Sequence, residues 1–299
     1  LGLGGNTDVT GATSLQALQA QTSQSPYNLT LLALAAALFA AFLAWEWRQE
    51  HPILELHLFR KRAVSAATLT NLLIGFLLML GLVSVPLLIN LRAENASAEA
   101  IARAAERAGV LLSTLTIPMA LAAVPGAWLC GRIGFRNTVL GGIALAIVGF
   151  VLAGSTWRGD TPELVMGAQL VVIGIGLGLT IAPIGTVVIN AVDATRRGVA
   201  SALVLIMRYL GMTIAIPTMT TYAFSRLNYM VSLARESFAL DWSAEQIQRE
   251  SVRVYFESGV SVIAEMLLIG ALIGLVALLP ALWLRGKSLD RPKSAQEGV

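Results

Sequence analysis

The chain reads as an all-α integral membrane protein, and three observations carry that class. Seven long apolar segments recur along its 299 residues, at roughly 29–47, 63–90, 108–130, 137–155, 164–192, 198–224 and 258–284. Each reaches or nearly reaches the ~20 apolar residues that a helix needs to cross a bilayer core about 30 Å thick. Charged residues make up only 13% of the chain, against 56% hydrophobic. Finally, lipid cannot satisfy free backbone amides, so spanning segments are helices or closed barrels. Barrel strands are about 10 residues long and alternate in polarity, and these segments do neither.

Taken in order, the chain opens on Leu1 with the apolar scrap LGLGG, which reads as the tail of a preceding membrane helix. The sequence is therefore expected to be a piece of a longer protein. Residues 6–28 are a polar loop rich in Thr, Gln and Ser, and no basic start or secretory signal precedes the first span. That span ends in Trp45 and Trp47, residues that favour the membrane–water interface. Residues 48–62 form a short amphipathic linker helix, with Ile53, Leu54, Leu56, Leu58 and Phe59 on one side and the basic run Arg60, Lys61, Arg62 toward anionic headgroups. The predicted organisation is a leading tail and loop over 1–28, an extra transmembrane helix and linker over 29–62, a six-helix bundle over 63–284, and a polar tail over 285–299.

Within the bundle, the Ala/Glu/Arg-rich stretch 91–107 is predicted to extend the third span as a helix. Residues 225–257 are predicted to be the longest loop. In it Ser243 and Gln246 have capping-box spacing, which starts a short helix before the last span. Residues 164–192 would run about 43 Å at 1.5 Å per residue, so tilt or a kink at Pro183 is expected. Pro118, Pro125 and Pro217 are further candidate kinks.

Charge fixes an orientation. With the chain entering from outside, the inner loops and tail hold twelve cations (Arg48, Arg60, Lys61, Arg62, Arg132, Arg136, Arg196, Arg197, Arg285, Lys287, Arg291 and Lys293). The outer side holds eight: Arg92, Arg103, Arg107, Arg158, Arg226, Arg235, Arg249 and Arg253. The excess of cations in short loops predicts a cytoplasmic C-terminus in a cell membrane. The net charge of +3 does not suggest nucleic acid. Cys130 is the only cysteine and reads as a packing residue. His51 and His57 stand six apart in a loop, without metal-ligand spacing. Asn28 and Asn95 begin sequons that matter only in a glycosylating host.

Arg208 is the sharpest candidate for chemistry. Eleven residues into its span it lies about 16 Å deep, where a cation costs roughly 2.5–3.5 kcal/mol and so faces protein or a wet cavity. Glu265, on the last span, lies at similar depth, and an Arg208–Glu265 ion pair is feasible. Such a pair would be either a helix clasp or part of a substrate or coupling site. Asn71, Gln169 and Asn190 are uncharged polar groups in or near spans, fitted either to bind substrate or to join helices. Gly174 with Gly178, and Gly270 with Gly274, are small-xxx-small pairs for close helix packing. Met79, Met119, Met166, Met207, Met212 and Met219 read chiefly as packing residues. No zinc-protease helix, Walker loop or dinucleotide fingerprint occurs. With no His in the spans, a membrane-embedded enzyme is not expected.

The stretch AWLCGRIGFRN (127–137) resembles the signature loop of the major facilitator superfamily, with Arg132, Gly134 and Arg136 at its basic and glycine positions. Gly131 and Ala127 depart from it, standing where that loop has Asp and Gly. HPILELHLFRKR (51–62), GIGLGLTIAP (174–183) and RRGVASALVLIMRYLGMTIA (196–215) resemble successive segments of the fourteen-helix drug/proton antiporter family. That resemblance implies that the seven spans are helices eight to fourteen and that an N-terminal half is missing. It also implies a gate role for Arg132, Gly134 and Arg136, and proton-driven efflux of drugs or other amphipathic small molecules, with the proton gradient and no cofactor as energy source. The expected partners are the bilayer, a small-molecule substrate and the missing half. The alternatives are a non-transporting half-protein or scaffold, or a narrow-specificity metabolite exporter.

Overall fold

The computed structural model describes residues 61–92, 98–236 and 243–284, with a few positions between 33 and 45. Most of the predicted first span, most of the linker helix, His51, His57, both sequons and the C-terminal tail lie outside the described residues. The seventh helix of the expected fold class is thus not described. The other six predicted spans are all present as helices: α1 Arg62–Arg92, α2 Ala98–Ile133, α3 Phe135–Thr156, α4 Glu163–Asn190, α5 Arg197–Glu236 and α6 Ala244–Ala281. All six are long and apolar enough to cross a membrane.

The helix ends follow from local chemistry. α2 starts at Ala98, so residues 98–107 of the Ala/Glu/Arg-rich stretch are part of it, with Arg103 donating to Glu99 at 2.7 Å one turn away. α2 passes to α3 in one residue, Gly134, whose φ of 85° favours glycine. Ser243 caps α6 as predicted: its Oγ accepts from the Gln246 amide at 3.2 Å, and the Gln246 side chain accepts from the Ser243 amide at 2.9 Å.

One expectation changes. The long loop over 225–257 contracts, because α5 continues to Glu236 and α6 already begins at Ala244. Leu227 and Met230 pack against the core, so this polar-looking stretch still has an apolar face that holds it helical. No helix is interrupted at its prolines: α2 runs through Pro118 and Pro125, α4 through Pro183 and α5 through Pro217. Pro183 deprives the Leu179 carbonyl of its helical donor. That carbonyl turns to the neighbouring α2, where a Cβ on Gly126 would lie 2.9 Å from it.

The most extensive helix contacts are α2/α4, α3/α4, α1/α5, α3/α6 and α1/α6. Exchange α1–α3 with α4–α6 and these pairs map onto one another. Since two helices lie between partners, the two triplets run in opposite senses, the pattern of an inverted internal repeat. Glycine sets its two tightest crossings. At α2/α4 the Leu115 and Met119 carbonyls abut Gly174 and Gly178; at α1/α5 the Arg208 carbonyl abuts Gly75 and the Leu72 carbonyl abuts Gly211. A Cβ at any of the four would overlap backbone. Without a hydrophobic drive between helices in lipid, such backbone approach supplies dispersion and weak Cα–H···O contacts. The Gly270 and Gly274 pair works differently, admitting the side chains of Leu80 and Ile147.

α2 and α5, equivalent under the exchange, are the least covered. Only 22% and 28% of their apolar windows are buried, against 44–61% in the other four. Their exposed faces carry Ile117, Leu121, Val124 and Trp128 on α2, and Leu205, Tyr209, Ile214 and Ile216 on α5.

Candidate functional site

The α1/α5 crossing builds the site. With Gly75 and Gly211 offering no side chains, the two backbones come close enough for the short amide of Asn71 to reach α5. Asn71 is fully buried and uses both ends of its amide. Its Nδ2 donates to the Val204 carbonyl. Its Oδ1 accepts from Arg208 Nη2 at 3.0 Å and from Nε at 3.2 Å. Asparagine suits this position because it carries donor and acceptor on one planar group. The guanidinium is thus anchored by a neutral acceptor, and among the described residues no carboxylate lies within ion-pair distance of it.

The expected Arg208–Glu265 ion pair does not form. Glu265 is instead gripped by Arg226, Nε to Oε2 at 2.9 Å and Nη2 to Oε1 at 3.1 Å. Tyr222 donates its hydroxyl to the same Oε2 at 2.8 Å. Eighteen residues separate Arg208 from Arg226, about 27 Å along a helix axis. The pairing differs because α5 does not end with its apolar stretch at 224. Once it continues, Arg226 lies on the helix, one turn from Tyr222, and claims the carboxylate in bidentate geometry. This joins α5 to α6 far from Asn71.

The remaining candidates separate as well. Gln169 is buried at the α3–α4 connection, where Trp157 Nε1 donates to its Oε1 at 2.8 Å and its Nε2 donates to Thr156 Oγ1 at 2.7 Å. Both ends of its amide are spent on holding α3 to α4. We expect Gln169→Leu to cost about 1–3 kcal/mol of stability, because it strands the Trp157 indole N–H; thermal unfolding in detergent measures it, and an unchanged Tm would contradict this role. Asn190 is exposed at the last residue of α4. In the signature-like loop, Arg132 stacks over the Trp128 ring with 4.1 Å to its centroid, Gly134 makes the turn, and Arg136 is exposed. Met166 and Met219 are buried core residues, while Met79, Met119, Met207 and Met212 pack against that core. Sequence reading missed Trp128, Tyr222 and Arg226. The i, i+4 spacing of both Tyr222–Arg226 and Trp128–Arg132 was the available signal.

Six long apolar helices, glycine-packed crossings and a cation held among them define a multi-pass helical membrane protein. Comparison with known proteins narrows the class. The chain is 31% identical over 276 residues to a triacylglyceride transporter of Mycolicibacterium smegmatis, covering 87% of this chain and 48% of that protein. It is 30% identical over 222 residues to a triacylglyceride transporter of Mycobacteroides abscessus, covering 70% of this chain and 41% of that protein. A triacylglyceride transporter of Mycobacterium tuberculosis is 32% identical over 156 residues, 48% of this chain and 29% of that protein. The chain spans less than half the length of these curated relatives. No protein-family model matches it. The relatives are named as transporters, not as enzymes.

Proposed function

We propose that the chain is the C-terminal half of a secondary transporter of the major facilitator type, which exports hydrophobic or amphipathic molecules by alternating access. The observation that carries this reading is Arg208, anchored by Asn71 at membrane depth with no carboxylate partner among the described residues. A cation so placed is costly and marks substrate or ion pathways. Three further features support it. The inverted repeat of α1–α3 and α4–α6 is the architecture of many such transporters. The sparsely covered faces of α2 and α5 suit a second bundle across a shared pathway. The relatives are named for triacylglycerides, so a neutral glycerolipid joins drug-like amphiphiles as a substrate class.

Energy would come from the proton gradient, with the C-terminus cytoplasmic in the cell membrane, as the cation count favours. Arg132, Gly134 and Arg136 would serve the inner gate, with the Trp128 stack holding Arg132 in place. Asn71 would position Arg208, while Glu265, Gln169 and Asn190 fall to helix joining or surface roles. An efflux assay on the complete protein, with and without a protonophore, tests this. Export that collapses with the protonophore is expected; export that persists unaltered would contradict proton coupling. Reading the coding frame upstream of Leu1 tests the half-transporter reading. Seven further spans are expected, and a start codon near Leu1 would favour the scaffold.

A further inference from the structure

Among the described residues, one carboxylate lies inside an apolar stretch of the bundle. Glu265 sits seven residues into the stretch that begins at 258, about 10 Å from its end at 1.5 Å per residue. The other titratable side chains in the six described stretches are Arg208, Cys130, Tyr209 and Tyr222. Groups of those types ordinarily keep their protons at neutral pH. No histidine is among them. A proton taken up and released inside this bundle therefore has Glu265 as its carrier.

Glu265 has a competitor for that proton. Arg226 holds both of its oxygens, and Tyr222 donates to Oε2. Once Arg226 leaves, a bare carboxylate at membrane depth is costly, and a proton removes the cost. The neighbours suit both states. The Tyr222 hydroxyl donates to the carboxylate and can accept from the acid. Arg226 has a second station in the exposed Tyr229 ring, three residues on, with its guanidinium carbon 5.7 Å from the centroid. Pro217 leaves the Thr213 carbonyl without its helical donor. The end of α5 that carries Tyr222 and Arg226 can thus bend there, while the Gly211 crossing holds the rest to α1. Contact between α5 and α6 is sparse beside that of either helix with α1, so little packing resists. α1 and α3, the other helices packed on α6, carry charge only at their ends, as Arg62, Arg92 and Arg136. The next carboxylate on α6, Glu257, lies two turns away and meets Arg253 at 3.3 Å.

We infer that Glu265 is the proton-binding site of this bundle. It takes one proton from the outer side as Arg226 moves to Tyr229, and yields it to the inner side as Arg226 returns. Helix joining is then the role of its ionised form alone. Arg208, which stays charged throughout, cannot carry the proton. This inference rests on the proton-driven reading above and assigns the residue that performs it.

Infrared difference spectra of the full chain in lipid vesicles read the proton directly, without transport. Arg226→Gln removes the competitor. Its spectrum at neutral pH should gain a protonated-carboxyl band that the unaltered chain lacks, and adding Glu265→Gln should abolish it. No band in Arg226→Gln, or a band that survives in the double variant, would overturn the inference whatever the protein transports. In the complete protein, Glu265→Gln keeps a hydrogen-bonding group of the same size beside Tyr222. Substrate exchange down its own gradient should persist while uphill, proton-driven export is lost. Both falling together would mark a merely structural clamp, and proton-driven export equal to that of the unaltered protein would equally contradict the site. Efflux from the unaltered protein that ignores a protonophore would instead count against the coupling reading, and the infrared band alone would then decide whether Glu265 binds a proton.

Discussion

Arg208→Ala in the complete protein is expected to abolish export while leaving the protein in the membrane at normal abundance. The second half of that expectation separates function from structure. A cation at bilayer depth costs roughly 2.5–3.5 kcal/mol, so removing it makes insertion easier, not harder. A clasp role would show instead as lower stability, because Asn71 Oδ1 would lose both of its guanidinium donors. Arg208→Lys keeps the charge but loses the two-pronged contact, and should recover export only in part. Export assays paired with quantified membrane levels read both outcomes. Unchanged export with normal expression would remove Arg208 from the mechanism.

Gly211→Ala is expected to destabilise the fold by about 2–3 kcal/mol, the upper range for overpacking. The added methyl would overlap the Leu72 carbonyl, and that neighbour is helix backbone, which cannot turn aside as a flexible side chain can. α1 and α5 must then separate, and the Asn71–Arg208 contact separates with them. Export should therefore fall along with stability. Gly141→Ala is the control: nothing lies within 4 Å of a Cβ there, so the substitution should be neutral or stabilising, since Ala is the better helix former. Denaturant titration in detergent micelles compares the two. Equal stabilities would contradict the close α1/α5 crossing.

These two results bear on how much of the molecule its sequence discloses. Each of the six described spans was legible, because ~20 apolar residues have few alternatives in lipid. So was the α6 cap, since Ser243 and Gln246 sit three apart before a helical stretch. Depth alone singled out Arg208 and placed Asn71 among the polar candidates. What the sequence did not disclose is which polar groups meet. Counted along its span, Glu265 reads at a depth compatible with Arg208, yet it meets Arg226, eighteen residues further along α5, because α5 runs past the apolar stretch that marked its span. Hydropathy marks where the lipid ends, not where the helix ends. Gln169 was equally opaque: its partners Trp157 and Thr156 meet it only after the chain turns from α3 into α4. Gly174 and Gly178 marked a close-packing face on α4 without naming α2 as its partner, and nothing local announced that Gly75 and Gly211 share one crossing across 136 residues.

The most direct test of the central claim is proton flux in proteoliposomes holding the complete protein, a pH-sensitive dye trapped inside and a neutral glycerolipid or cationic amphiphile added as substrate. A proton-coupled exporter should shift the internal pH on substrate addition, and the Arg208→Ala protein should give no shift. Substrate movement with internal pH unchanged, or equal pH shifts from both proteins, would contradict the account.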